Sequence, residues 1–382
     1  MSWYGMSTEN YFMGRIFLYS IHRCNHYRRS SYCNLSCSFF GYSTTDCCTL
    51  LISASNANSH TFCKSCKICN GMACKNTVPG PGAKGLGTGF IRNYQKWQEL
   101  CVNMDTICEN GPADTTFDFF GHQLTIPVMA GPVGAMQLHY GDKYDDLTYN
   151  DLLVTACAKA GILAFTGDGT NPAVMEAAVN AIGENHGAGV TTIKPWNQEL
   201  VMQKMDMAKK CGAWAIAMDI DGAGLPFLKN LTPPAGSKTV EQLKEIADYA
   251  GVPFILKGIM TAKGAEKAVK AGAKAIIVSN HGGRVLDQCP ATAEVLPEIV
   301  DAVGKDVMVL VDGGIRTGMD VFKALALGAK GVLIARPFVN MVYGGGEEGP
   351  AVLVAKLKAE LEDTMLMCGA HSLAEIDRSM VR

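Results

Sequence analysis

Eight short apolar runs recur through the last two thirds of this chain, and helical spacing fills most of the gaps between them. They read PVMAG (127–131), ILAFTG (162–167), GVTTI (189–193), WAIAMDID (214–221), PFILKG (253–258), KAIIVSN (274–280), VMVLVDGG (307–314) and GVLIARP (331–337). Strands this uniformly apolar are buried on both faces, as parallel strands covered by helices are. The intervening TVEQLKEIADYA (239–250), AKGAEKAVKAGA (262–273) and GMDVFKALALGA (318–329) repeat apolar residues at i, i+3 and i+4. Gly161, Gly212, Gly251, Gly272 and Gly328 each stand just before a strand, where a helix closing on a left-handed residue takes glycine. The pattern predicts a closed (β/α)₈ TIM barrel of the α/β class. No G-x-G-x-x-G follows the first strand to favour an open, doubly wound sheet.

A barrel takes about 250 residues, so a chain of 382 has room for a long N-terminal part. Residues 1–62 show neither helical nor strand periodicity and are expected to form an irregular, poorly ordered extension; 63–89 form a Cys-array segment and Gly-rich linker, and 90–382 the barrel. Nine of the fifteen cysteines fall in the first 74 residues, a skew that marks two regions with different histories or tasks. CKSCKICNGMAC (63–74) sets Cys63, Cys66, Cys69 and Cys74 in a C-x₂-C-x₂-C-x₄-C array. Four thiolates so spaced could complete a tetrahedral zinc site or hold an iron–sulfur cluster, and four reduced thiols in a flexible loop remain the alternative. The net charge is −2, and no Lys/Arg block stands out beyond the short Arg28-Arg29 pair. Nucleic-acid and membrane-surface partners ask for a clustered positive field and are not expected. No apolar run approaches the roughly 18 residues of a membrane span, and the first 25 residues lack the order of a secretory signal, so a cytoplasmic location is expected.

In such a barrel the active site lies at the C-terminal strand ends. Those ends here carry Thr166 and Asp168, Lys194, Asp219 and Asp221, Lys257, Ser279-Asn280-His281, Asp312-Gly313-Gly314, and Arg336. SNHGGRVLD (279–287) is the sharpest of them. Its histidine can take a proton near neutral pH, and its arginine offers a planar fork that matches a carboxylate. A polar loop in which Arg284 pairs with Asp287 is the competing reading of the same residues.

Together with ILKGI (255–259) and VDGGIRTGMDVFKALALGAKGVLIARP (311–337), SNHGGRVLD resembles the FMN-dependent α-hydroxy acid oxidase/dehydrogenase family. The resemblance implies an FMN enzyme that oxidises a small L-2-hydroxy acid such as L-lactate, with His281 as base and Asp221 as its partner. It implies that Arg284 clamps the substrate carboxylate and that Lys257 favours negative charge on the reduced flavin. Ser279 would contact the ring edge and Asp312 the ribityl chain. Gly313 and Gly314, with Arg316 and Arg336, would hold the phosphate, and Pro132, Val133 and Gly134 would pack on the flavin face. Thr166 and Ala335 fall on the same cofactor side, Ala335 standing where the family has glycine. A homo-oligomer, a tetramer by resemblance, is implied as well.

The chain departs from the family in its substrate shell. Lys194 stands where a tyrosine is usual and Asp219 where a threonine is usual; the loop GAGLPFLKN (222–230) lacks an expected arginine, and no N-terminal tyrosine contact is found. Lys194 is therefore a candidate replacement substrate ligand. The electron acceptor stays open among oxygen, a quinone and a cluster at Cys63–Cys74. Two other readings compete: an FMN-barrel isomerase of the type 2 isopentenyl diphosphate isomerase kind, and a non-catalytic flavin- or metal-binding barrel.

Overall fold

The computed structural model describes residues 63–382, apart from 79, 226–227, 229, 231 and 233–234. The expected irregular extension over 1–62 lies outside the described residues. Helix α1 (Thr88–Glu99) is followed by an antiparallel hairpin of β1 (Phe117–Phe119) and β2 (His122–Leu124). Eight parallel strands then close a barrel: β3 (Val128–Ala130), β4 (Ala164–Thr166), β5 (Gly189–Ile193), β6 (Ala215–Asp219), β7 (Phe254–Ile259), β8 (Ala275–Val278), β9 (Met308–Asp312) and β10 (Gly331–Ile334). β10 pairs with both β9 and β3, which completes the ring. All eight apolar runs are strands, and the three helical stretches form helices at Val240–Ala250, Ala262–Lys270 and Gly318–Ala326.

The interior explains why both strand faces are apolar. Met129, Phe165, Val190, Ala217, Ile255, Ile277, Leu310 and Leu333 point inward and pack as one cluster. The alternate residues, such as Val128, Ile216, Leu256 and Val309, pack under the surrounding helices. Each fully buried Val, Leu or Ile contributes roughly 1.5–3 kcal/mol, which makes the barrel wall rigid. The hairpin brings Phe117, Phe119 and Leu124 into the inner cluster, and His122 stacks on Trp214, which precedes β6, at 3.7 Å. It thereby plugs the N-terminal end and leaves the C-terminal end open. Among the described residues no helix is long and apolar enough to cross a membrane.

Residues 80–84 are held against the barrel. Lys84 N donates to Gly283 O at 2.9 Å, and Lys84 Nζ donates to Val285 O at 3.0 Å, so this strap lies across the barrel mouth. Asp287 anchors its far end, accepting from Leu86 N (2.6 Å), Thr88 N (3.1 Å) and Thr88 Oγ1 (2.6 Å). The carboxylate thus caps α1, a placement that suits the helix dipole. Among the described residues it has no ion pair with Arg284, whose Nη1 donates to Gly82 O at 2.9 Å instead.

Candidate active site

Chain geometry at the ends of β6, β7 and β8 assembles the site. β7 carries a register shift between Lys257 and Ile259, and Gly258 between them has φ 102°. A Cβ on Gly258 would fall 2.5 Å from Asp221 Cγ, so glycine at this bulge makes room for that carboxylate. After β8 the chain turns sharply: His281 has φ 56°, a left-handed conformation that side-chain-bearing residues seldom adopt. Asn280 steadies the turn by accepting from Gly283 N at 3.2 Å and is itself held by Asn93 of α1 at 2.7 Å. Strain of this kind, held in place by its surroundings, is common at functional sites.

The turn sets the His281 ring against two carboxylates. Nδ1 lies 2.9 Å from Asp221 Oδ1 and 3.2 Å from Asp219 Oδ1. Asp219 also accepts from Lys257 Nζ at 3.2 Å and is ion-paired with Lys194. Lys257 reaches Asp312 Oδ2 at 3.6 Å. Burial opposes the ionised form of Asp219, yet His281, Lys194 and Lys257 outweigh it and hold this carboxyl well below the usual range. Asp221 is pushed the other way, because burial and the charge of Asp219 outweigh Lys257 and His281. Burial works against the Lys257 cation, but Asp219, Asp221 and Asp312 overcome it and raise its pKa. A buried charge network is weak evidence for stability, and paired groups driven in opposite directions within a cleft mark a site of chemistry.

These groups face a cavity of about 650 Å³ at the barrel mouth, large enough for a nucleotide-sized cofactor and a small substrate. Its wall includes His281, Arg284, Lys194, Lys257, Asp312, Gly313, Gly314, Arg316, Ala335, Arg336, Pro132, Val133 and Gly134, all expected from the sequence. Asp221 is off the wall and meets His281 Nδ1 at 2.9 Å. Two expected cofactor contacts do not reach the wall. Thr166 is buried with its hydroxyl toward Val190 O at 3.4 Å, and Ser279 Oγ accepts from His281 N at 3.1 Å to shape the turn. Cys63, Cys66, Cys69 and Cys74 also lie off the cavity wall, on its rim.

The arginines hold an arrangement the sequence did not suggest. Arg284 donates through Nη1 to Gly82 O (2.9 Å) and Gly80 O, leaving Nε and Nη2 without a protein partner among the described residues. Arg336 lies 3.7 Å above the Phe90 ring and donates from Nε to Pro81 O at 2.9 Å. Arg316 Nε donates to Cys69 O at 2.9 Å. Burial, with Arg336 beside it, pulls the Arg284 guanidinium down to about 10. Asp219, the hub of the charge network, and the strap residues Val78 and Pro81 were missed as site residues. The strap had one legible signal: in VPGPG (78–82) prolines lack N–H groups, so the run presents carbonyls in excess, ready for cations.

Residues 81–229 and 230–382 match the model of the FMN-dependent dehydrogenases. The chain belongs to the FMN-dependent dehydrogenase family. It is an oxidoreductase that uses FMN, and the isomerase and binding-only readings are not favoured. A peroxisomal (S)-2-hydroxy-acid oxidase of rice is 50% identical over 151 residues, a stretch of 40% of each chain. A peroxisomal (S)-2-hydroxyacid oxidase of Arabidopsis thaliana is 31% identical over 327 residues, covering 76% of this chain and 87% of the relative. Among solved structures, a mandelate oxidase variant carrying an FMN adduct superposes with a TM-score of 0.71 at 26% identity, over 86% of this chain and 97% of the other.

The cavity fits the flavin on its own terms. Asp312 Oδ1 and Thr192 Oγ1 are buried at its wall without a hydrogen-bond partner among the described residues, an arrangement that a polar ligand satisfies. Gly313 and Gly314, both at positive φ, bring backbone to the wall where an anion can approach.

Proposed function

We propose that this protein oxidises an L-2-hydroxy acid to the 2-oxo acid, with His281 taking the substrate's proton and Arg284 holding its carboxylate. The hydrogen-bonding of His281 carries this reading. Nδ1 faces Asp221 at 2.9 Å and the ionised Asp219 at 3.2 Å, both acceptors, so the ring proton sits on Nδ1. Nε2 is then the free base, and its lone pair is the one that accepts a proton. Once protonated, the imidazolium lies against two carboxylates that stabilise it. A positioned base of this kind typically contributes 10²–10⁴-fold to the rate.

The open Nε and Nη2 donors of Arg284 can grip a carboxylate while Nη1 stays on the strap. Fixing the acid this way turns a collision into a positioned contact. Lys194 closes the pocket with Asp219 and is the candidate second substrate contact. Tyr140, buried on the cavity wall, is a further candidate contact. Bound FMN supplies the two-electron acceptor. Asp312, Thr192, the Gly313-Gly314 backbone and Lys257 would hold it, Lys257 lending positive charge. The names of the relatives, which act on 2-hydroxy acids, support the substrate class.

Anaerobic addition of glycolate, and of the L- and D-forms of lactate and mandelate, to the yellow protein tests the reading. Bleaching of the flavin by an L- but not a D-acid is expected. Failure of every hydroxy acid to bleach it would overturn the assignment.

A further inference from the structure

Residues 63–77 are a built element on the rim of the barrel. Ser65, Gly71 and Asn76 all take positive φ, at 42°, 88° and 65°, and fold the segment into tight turns. A Cβ on Gly71 would fall 2.8 Å from the Phe90 ring, so glycine there lets the stretch between Cys69 and Cys74 lie on that ring. Arg316 fixes Cys69, with Nε 2.9 Å from its carbonyl oxygen and Nη2 3.7 Å from its sulfur. Cys63 Sγ approaches Asn340 Oδ1 at 3.8 Å, and Thr77 Oγ1 donates to Cys74 O at 2.7 Å. The four sulfurs form one neighbourhood in which Cys69 acts electrostatically on Cys63, Cys66 and Cys74. Yet no three of them lie within 4.8 Å of one another.

We infer that Cys63, Cys66, Cys69 and Cys74 bind a [4Fe–4S] cluster on the rim of the barrel. The open spacing suits a cluster better than zinc. Four thiolates on one zinc at about 2.3 Å stand only about 3.8 Å apart in a tetrahedron. In a cubane cluster each thiolate binds its own iron, so the sulfurs sit farther apart around a larger body. The two C-x₂-C steps suit this, because each turns the chain just enough to address neighbouring irons. The surroundings suit an anionic cluster as well: the Arg316 guanidinium already touches Cys69, and Arg336 shares the Phe90 ring with it. The segment is tied onward to the strap, since Gly82 N donates to Thr77 O at 3.2 Å.

The test uses the full chain purified without oxygen, and it needs no substrate, so it stands or falls apart from the hydroxy-acid reading. Iron, acid-labile sulfide, zinc and FMN are measured per chain, with EPR after dithionite reduction. About four irons and four sulfides per chain, with a reduced-cluster EPR signal, are expected. Cys66→Ser and Cys74→Ser should each lose most of the iron while keeping FMN. One zinc per chain would overturn the inference. So would iron that stays far below stoichiometric after anaerobic reconstitution with ferrous iron and sulfide, or undiminished iron in both variants. Should the variants fail to fold, the metal and sulfide content of the wild-type chain decides alone.

Discussion

Two residues that break the family pattern turn out to be partners. Lys194 and Asp219 each looked like a loss in the sequence, a tyrosine and a threonine gone, and nothing in the linear chain joined them. They lie at the ends of neighbouring strands β5 and β6, and folding makes them an ion pair facing the cavity. The placing of His281, Arg284 and Lys257 at the barrel mouth was legible because strand-end residues keep recognisable neighbours in sequence; the Lys194–Asp219 pair is 25 residues apart and required the barrel. Breaking one member of a buried pair leaves an uncompensated charge. Lys194→Tyr and Asp219→Thr alone should therefore each lower flavin reduction by tenfold or more. The double variant should recover at least tenfold over the product of the two, a coupling of about 1.4 kcal/mol. Simple additivity in anaerobic reduction rates would show that the two residues act separately. His139 supplies a pH effect. Burial, reinforced by Arg284 and Arg336, pulls its pKa down to about 4, against about 6.5 in an unfolded chain. The unfolded state then binds more protons in that window, so stability falls as pH drops from about 6.5 to 4, by at most about 3 kcal/mol. Urea melts of the flavin-free protein should show this loss, and His139→Phe should abolish its share. Parallel pH profiles for the two proteins would contradict the assignment.

Among the elements, strands and their closing glycines were the most legible. Every one of Gly161, Gly212, Gly251, Gly272 and Gly328 has positive φ, because a helix that ends just before a buried strand has to turn within a single residue. The hairpin at 117–124 was not, since three-residue strands carry too little alternation to read. The strap left only its prolines as a signal, since its hold on Arg284 and Arg336 is made by main-chain carbonyls. The bulge at Gly258 is the element on which the site turns. Gly258→Ala would force a methyl within 2.5 Å of Asp221 and strain a left-handed backbone. Its expected effect is a loss of about 1–3 kcal/mol of stability and a drop of two orders of magnitude or more in flavin reduction, with FMN retained. A thermal melt and an anaerobic reduction trace check both; wild-type values in each would remove Asp221 from the machinery.

Across the whole molecule, a rigid barrel presents its chemistry at one end while a hairpin plugs the other, and the N-terminal strap folds over the open mouth. This division explains what the sequence concealed. The barrel is repetitive and apolar, and such regularity survives as a pattern; the mouth is assembled from contacts between residues two hundred positions apart, such as Arg284 with Gly82. On the proposed function, the imidazole of His281, steadied by two carboxylates, removes the substrate's proton. Stopped-flow reduction of the flavin in His281→Ala under anaerobic conditions tests that step. The variant should remain yellow with full FMN and be reduced by its best hydroxy acid roughly a thousandfold more slowly than wild type. Reduction at a rate near that of the wild-type protein would contradict it.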